Sequence, residues 1–306
     1  MSAPTTIDLS RLPFPAAIEA LDFETLFAAF RDRFQAAWDE ARADNPDLPP
    51  YEVGGLETDP VAIVGQAWSY LRLLDRARVN DAVRSVLAPM ARGSDLDQIA
   101  SRQGVLRLEL VPASGNEPAV MEGDAQLLRR YLLSFDRPSA GSASRYLYEA
   151  WTSAPKLHDV RVNGRAVHGR IGDTDVVIIG ENGVAATQAE LAVVQAAVQA
   201  PDVKPEAVGV SVLPATRHEF QVVQTILVPV GPDAEIVRKE AEDRVRLIAD
   251  SRMKIGAGVP RDLLAGASFG PSVIDVQHHE PVADIVAHPY TVPVLTLIDI
   301  TVEVAS

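Results

Sequence analysis

The sequence contains no cysteine. That absence excludes thiol catalysis, cysteine-ligated zinc, iron–sulfur clusters and disulfides, and thiol usage says nothing about compartment. Lysine is scarce: Lys156, Lys204, Lys239 and Lys254 are the whole set, leaving few candidates for Schiff-base or phosphate-loop chemistry. No apolar run approaches the ~20 residues of a membrane span. Met1 to Ser10 has neither the basic nor the apolar region of a signal peptide. Positive charge is short as well, with 28 Lys+Arg against 42 Asp+Glu and a net charge of −14. Such a chain repels phosphate backbones, so neither nucleic acid nor a membrane is an expected partner.

What is present is ordinary for a folded protein. Of 306 residues, 47% are hydrophobic and 23% charged, and the mean hydropathy is +0.05. Intrinsic disorder is excluded. A domain of about 150 residues is the usual size, so the chain holds two domains or three. Residues 1–60 carry four Arg against twelve acidic residues, and 61–107 carry seven Arg against four. Most such charges belong to solvated faces.

Phe23, Leu26, Phe27, Phe30, Phe34, Ala37, Trp38 and Ala41 recur at three- and four-residue steps, predicting a helix over 23–43. Asn45-Pro46 and Pro49-Pro50 end it. A second helix starts with Asp59 as cap and Pro60 at the first helical position, and nothing interrupts it before Pro89. Thirty residues give roughly 45 Å. Val61, Val64, Trp68, Leu71, Val79, Ala82, Val83, Val86 and Met90 form one apolar stripe. Ile63, Ala67, Tyr70, Leu74 and Ala77 form another, roughly opposite. The first helix can cover one stripe; the other is left to later parts of this chain or to another chain. Gly93 reads as a helix stop, Ser94 with Asp97 as a capping box, and Gly104 as the end of a short helix.

Residues 112–118 read as a loop, followed by helices at 120–134 and 142–152, strands at 157–163 and 175–180, a helix capped by Thr187, and a strand at Val208–Val212. The last third repeats the theme: a strand at Phe220–Val230, a helix at 232–252 with Ile236, Val245 and Ile248 on its dry side, a short helix at 260–267, and strands at 272–277 and 294–304.

Three motifs invite chemistry. Gly266-Ala267-Ser268-Phe269-Gly270 matches the nucleophile-elbow pattern, with Asp275, His278, His279, Asp284 and His288 downstream. The elbow needs a strand before the serine and a helix after it; here the order is inverted. Ser251-Arg252-Met253-Lys254 matches S-x-x-K without its companion motifs. His278-His279-Glu280 invites a metal, but neighbours on a strand point to opposite faces. Gly256-Ala257-Gly258 lacks the third glycine of a dinucleotide loop. No catalytic, cofactor or metal residue is expected, and the chain reads as a non-enzyme. The rival reading is a cytosolic serine hydrolase using Ser268 with a C-terminal His and Asp.

One set of segments carries a resemblance: Glu57-Thr58-Asp59-Pro60, Ala67-Trp68-Ser69-Tyr70-Leu71, Arg76-Ala77-Arg78-Val79-Asn80-Asp81-Ala82 and Ala91-Arg92-Gly93-Ser94-Asp95-Leu96-Asp97. With Ile7 to Pro13, Leu21 to Glu24, Pro118 to Glu122, Ala140 to Ser142, Glu181 to Ala185 and Pro281 to Val286, the chain resembles the baseplate protein J family of P2-like contractile-tailed phages. Asn163 to Asp175 departs from the family pattern.

The resemblance implies a structural baseplate wedge protein with no cofactor, needed for baseplate assembly and for closing a ring around the hub. Its implied partners are a second copy of itself, a smaller wedge protein of the protein I type, a sheath-initiator or wedge protein of the protein W type, neighbouring wedges and the hub. It would be assembled in the host cytoplasm and end in the virion. Wedge contacts map here to Phe30, Phe34, Trp68, Tyr70, Leu71 and Leu74, and to Arg76, Arg78 and Asn80. The fold class expected is α+β: an elongated multi-domain chain with an N-terminal helical bundle region and two small α/β units. The expected domains are an N-terminal helical wedge core over 1–110, a middle α/β domain over 111–214, and a C-terminal α+β dimerisation and ring-forming domain over 215–306.

Overall fold

A computed structural model describes residues 15–52, 56–231 and 233–305. The segment Ile7 to Pro13, used above for the family resemblance, lies outside the described residues. The fold class is α+β, and the chain divides into two compact units at 102/103.

The first unit holds α1 (Phe23–Asp44), α2 (Pro60–Ser85) and α3 (Gly93–Ser101). Asp22 caps α1 by accepting the N–H groups of Glu24, at 3.0 Å, and Thr25, at 3.4 Å. Pro60 opens α2 as expected, but Asp59 makes no cap bond; its carboxylate accepts the Tyr51 hydroxyl instead. The second helix stops at Ser85, four residues short of the expected end. The reason is local: a proline ring collides with the carbonyl four residues earlier, which for Pro89 is Ser85. Gly93 has φ +52, and α3 begins on it, so Ser94 lies inside the first turn rather than at the cap position.

The second unit begins with a hairpin absent from the expectation, β1 (Glu109–Val111) paired with β2 (Val120–Met121). Because Val120 and Met121 are in that hairpin, α4 (Asp124–Ser134) starts later than expected. Then follow α5 (Ala143–Ser153), capped by Ser142, and β3 (Asp159–Asn163), α6 (Arg165–His168), β4 (Asp173–Ile179), α7 (Gln188–Val198) and β5 (Gly209–Pro214). Thr187 and Glu190 form a capping box on α7. The stretch Asn163 to Asp175 is the connection between β3 and β4, turned by Gly169 and Gly172 at φ +79 and +75. β4 lies between antiparallel β3 and parallel β5, and Val176, Val177, Ile178 and Ile179 are fully buried. A continuous apolar run of this kind suits a strand covered on both faces.

The chain continues through β6 (Thr216–Val228), α8 (Ala234–Arg252), α9 (Arg261–Ser268), β7 (Asp275–Glu280) and β8 (Thr291–Val304). The sheet order is β7-β6-β8, antiparallel then parallel. α8 packs on β8 through Val237, Ala241, Val245 and Ala249. Ile236, expected on its dry side, is exposed, because the four-residue step of that buried row leaves position 236 about 100° away. The division expected at 214/215 falls where β5 runs into β6, inside the second unit.

The two sheets share a core of Val177, Ile179, Ala215, Ile255, Val292 and Val294. Buried Asp175 joins them: its carboxylate accepts the Tyr290 hydroxyl at 2.6 Å and the Arg170 guanidinium at 2.6 Å. Burial raises the Asp175 pKa, but these two donors outweigh it and hold the group below the ordinary carboxylate range. A depressed carboxylate contributes stability above its unfolded pKa and loses it as pH falls through the folded one. Tyr290→Phe therefore costs about 1–3 kcal/mol at pH 7, and denaturant melts show that loss shrinking below about pH 4.

Candidate interaction surface on the N-terminal helices

The N-terminal pair is held by a seam that the apolar stripes do not supply. The buried residues of α2 are Ala62, Gly65, Ser69 and Asn80, small or polar all, and α1 buries only Leu26. At Gly65 the close approach is strict: a β-carbon there would sit 2.4 Å from the Phe30 ring and 3.0 Å from that of Phe27. Ser69 removes its own polar cost by donating to the Gly65 carbonyl at 2.7 Å. Taken at 100° per residue, this line runs between the two stripes and belongs to neither. The first helix therefore reaches only the margin of one stripe, at Trp68 and half-buried Val61, and lies mainly on the row where small side chains admit aromatic rings.

Most of each stripe is left in the open. Val64, Trp68, Leu71 and Val79 on one, and Ile63, Tyr70 and Leu74 on the other, are all exposed; Trp68, the least so, keeps 43% of its surface. Trp68 touches the Phe30 ring at 5.6 Å with the rest of its indole outward. Single exposed apolar residues need no explanation, but contiguous ones mark interaction surfaces. Each contributes roughly 1–2 kcal/mol when a partner covers it.

The described part of the connection between the helices is anchored by side chains. Phe34 meets Tyr51 at 4.9 Å and Trp38 meets it at 5.4 Å, while Trp38 donates its indole N–H to Pro49 O at 3.0 Å. Burial and the Asp59 acceptor push the Tyr51 phenol up to about 12. At the other end Asn80 grips the chain before α1: it accepts the Glu19 N–H at 3.0 Å and donates to the Glu19 carbonyl at 2.8 Å. Arg76 adds an ion pair to Glu19 at 2.6 Å.

The expected contact residues thus separate into three groups. Trp68, Tyr70, Leu71 and Leu74 stand exposed, and so does Arg78, without an ion-pair partner among the described residues. Phe30 and Phe34 are half-buried in contacts within the chain. Asn80 is buried and Arg76 is paired, both holding residue 19, so Asn80 is no part of an open surface. The seam of Ala62, Gly65 and Ser69 was not anticipated; its signal was small residues three and four apart.

The chemical motifs are disarmed by their surroundings. Ser268 ends α9, is fully buried, and donates its hydroxyl to the Gln224 side-chain carbonyl. Gln224 Nε2 then lies 2.7 Å from His278 Nδ1, so an amide stands between serine and imidazole. Burial, then the Arg261 charge, pushes His278 down. A hydrolase needs the serine in direct reach of its base and of solvent; this geometry lends the hydrolase reading no support. His279 meets Thr225 at 3.1 Å on the opposite face from His278. Ser251 donates to Ile248 O at 2.7 Å. Among the described residues no group of three or more His, Asp or Glu is placed to hold a metal ion. No helix among them is long and apolar enough to cross a membrane.

A family model described as "Baseplate J-like N-terminal domain" matches residues 57–114, which contain α2 and α3. The protein is a structural component of a bacteriophage tail baseplate. Baseplate protein J of Escherichia phage P2 is 30% identical over 296 residues, 92% of each chain, and the chain belongs to the baseplate protein J family.

Substituting Gly65→Leu forces side-chain atoms into the Phe30 and Phe27 rings. The expected cost is about 1–3 kcal/mol, read as a lower melting temperature of the helical signal. Asn80→Ala costs about 1–3 kcal/mol and makes the residues around Glu19 faster in amide exchange.

Proposed function

We propose that this chain is a wedge subunit of a contractile-tail baseplate, joined to its neighbours through the two open stripes of α2. The observation that carries the reading is the seam: α1 takes the small-residue row, and the stripes stay available. A helix apolar on two flanks calls for two covering helices. A second copy of this chain and a smaller wedge protein of the protein I type fill those places. Contacts with a protein W type initiator, adjoining wedges and the hub follow from the same family. Residues 215–306 act as the ring-forming part, with 111–214 between it and the helical region of 1–110.

In this reading the chain is not an enzyme, and its work is assembly in the host cytoplasm before incorporation into the virion. The disarmed Ser268 supports that view, since the best catalytic motif of the sequence is spent on a core hydrogen bond.

The test is a double variant, Val64→Asp with Leu71→Asp, introduced into the phage. Exposed substitutions away from caps and cores change stability by about 0.5 kcal/mol. The purified variant should keep the wild-type melting curve, while lysates lack complete tails and the variant no longer co-purifies with other tail proteins. Wild-type numbers of complete tails carrying the variant would show that the stripes are not the contact.

A further inference from the structure

Strand β6 is incompletely paired. On one side β8 accompanies it from Thr216 to Val228. On the other, β7 pairs only from Leu227↔Asp275 to Val223↔Glu280. An edge of β6 from Thr216 to Val222 is therefore open, about 23 Å at 3.3 Å per residue.

The direction of its backbone groups follows from parity. Along this strand successive residues turn their N–H and C=O to alternate neighbours. The Thr216 N–H donates to Tyr290 O at 2.9 Å, on the β8 side. The Leu227 carbonyl accepts from Ile274 N at 2.7 Å, on the β7 side. The odd positions Arg217, Glu219 and Gln221 thus present their backbone groups to the open edge. They have no backbone partner there among the described residues.

The chain that leaves β7 does not fill this edge. Ile285 is held elsewhere by a two-way bridge with Val259, at 2.9 and 3.0 Å, and Asp284 accepts the Arg261 N–H at 2.8 Å. Between that loop and β6 lies a groove of about 680 Å³. Val282 and Val286 stand on its loop wall, 79% and 81% exposed. Of the lining carboxylates, Glu219 is paired with Arg217 at 3.0 Å. Glu280 and Asp284 have no ion-pair partner among the described residues, and the lining holds no Lys or Arg.

We infer that this groove accepts an extended segment of another polypeptide as an added strand on β6, alternating apolar with basic residues. Arg217, Glu219 and Gln221 supply the backbone hydrogen bonds, Val282 and Val286 the apolar contact, and Glu280 and Asp284 the preference for Lys or Arg. The net charge of −14 makes a second copy of this chain the poorer match. The inference does not depend on the wedge reading, because it uses neither α1 nor α2.

The probe is a blocked, fluorescein-labelled Val-Lys-Val-Lys-Val-Lys-Val peptide titrated with the full chain by anisotropy. Binding should be at least ten-fold weaker for the Glu-containing counterpart, and for a peptide N-methylated along one edge. Amide exchange at Glu219 and Gln221 should slow on binding. A Glu280→Lys variant, changed at an exposed position whose side chain makes no bond among the described residues, should lower the preference for the Lys peptide at least ten-fold. No binding at millimolar peptide, equal binding of both charges, or indifference to N-methylation would overturn the inference.

Discussion

Everything about the N-terminal unit depends on where two aromatic rings can sit. Phe27 and Phe30 need a surface without β-carbons, and Gly65, flanked by Ala62 and Ser69, is the place on α2 that offers one. Close approach of this kind exchanges bulky apolar contact for tight fit. Its consequence is external. Because the small-residue row is used for the intrachain seam, Trp68, Leu71, Tyr70 and Leu74 keep open faces. Pairing through either stripe would have hidden one of them and left half the surface for assembly.

The second unit solves a different problem. The β7-β6-β8 sheet buries a core of its own against α8 and α9, through Val222, Ile226, Val237, Val245 and Leu264, and the two sheets meet at Ala215, where one strand becomes the next. The Ile178 carbonyl accepts the Ala215 N–H at 2.8 Å, and the adjoining Thr216 N–H goes to Tyr290 O. Asp175, Tyr290 and Arg170 close the same joint with charge-assisted bonds. A shared core makes this unit stiff, which suits a structural protein whose surfaces must hold position.

A protein of this class is defined by what it leaves uncovered rather than by reacting groups it gathers. The groove beside β6 and the stripes of α2 are both incomplete structures: one lacks hydrogen-bond partners, the other apolar neighbours. In the proposed readings, another chain satisfies both deficits. The hydroxyl of Ser268 and the amide of Gln224, by contrast, are already satisfied internally.

Much of this was legible in residue order. The helix start at Thr187 was marked by capping chemistry, and the α+β class by the change of apolar period along the chain. The two stripes of α2 were visible too, but not which surface would cover them. Motif order alone argued against Ser268, since local pattern decides whether a strand precedes a serine. Distance in sequence hid the rest. That α1 would choose the row between the stripes, that Asn80 would hold residue 19, and that β7 would stop at Glu280 beside an open β6 edge all depend on which surfaces meet. Spacing records the shape of one element; contact between elements is a competition among all the faces available, and only the folded chain decides it.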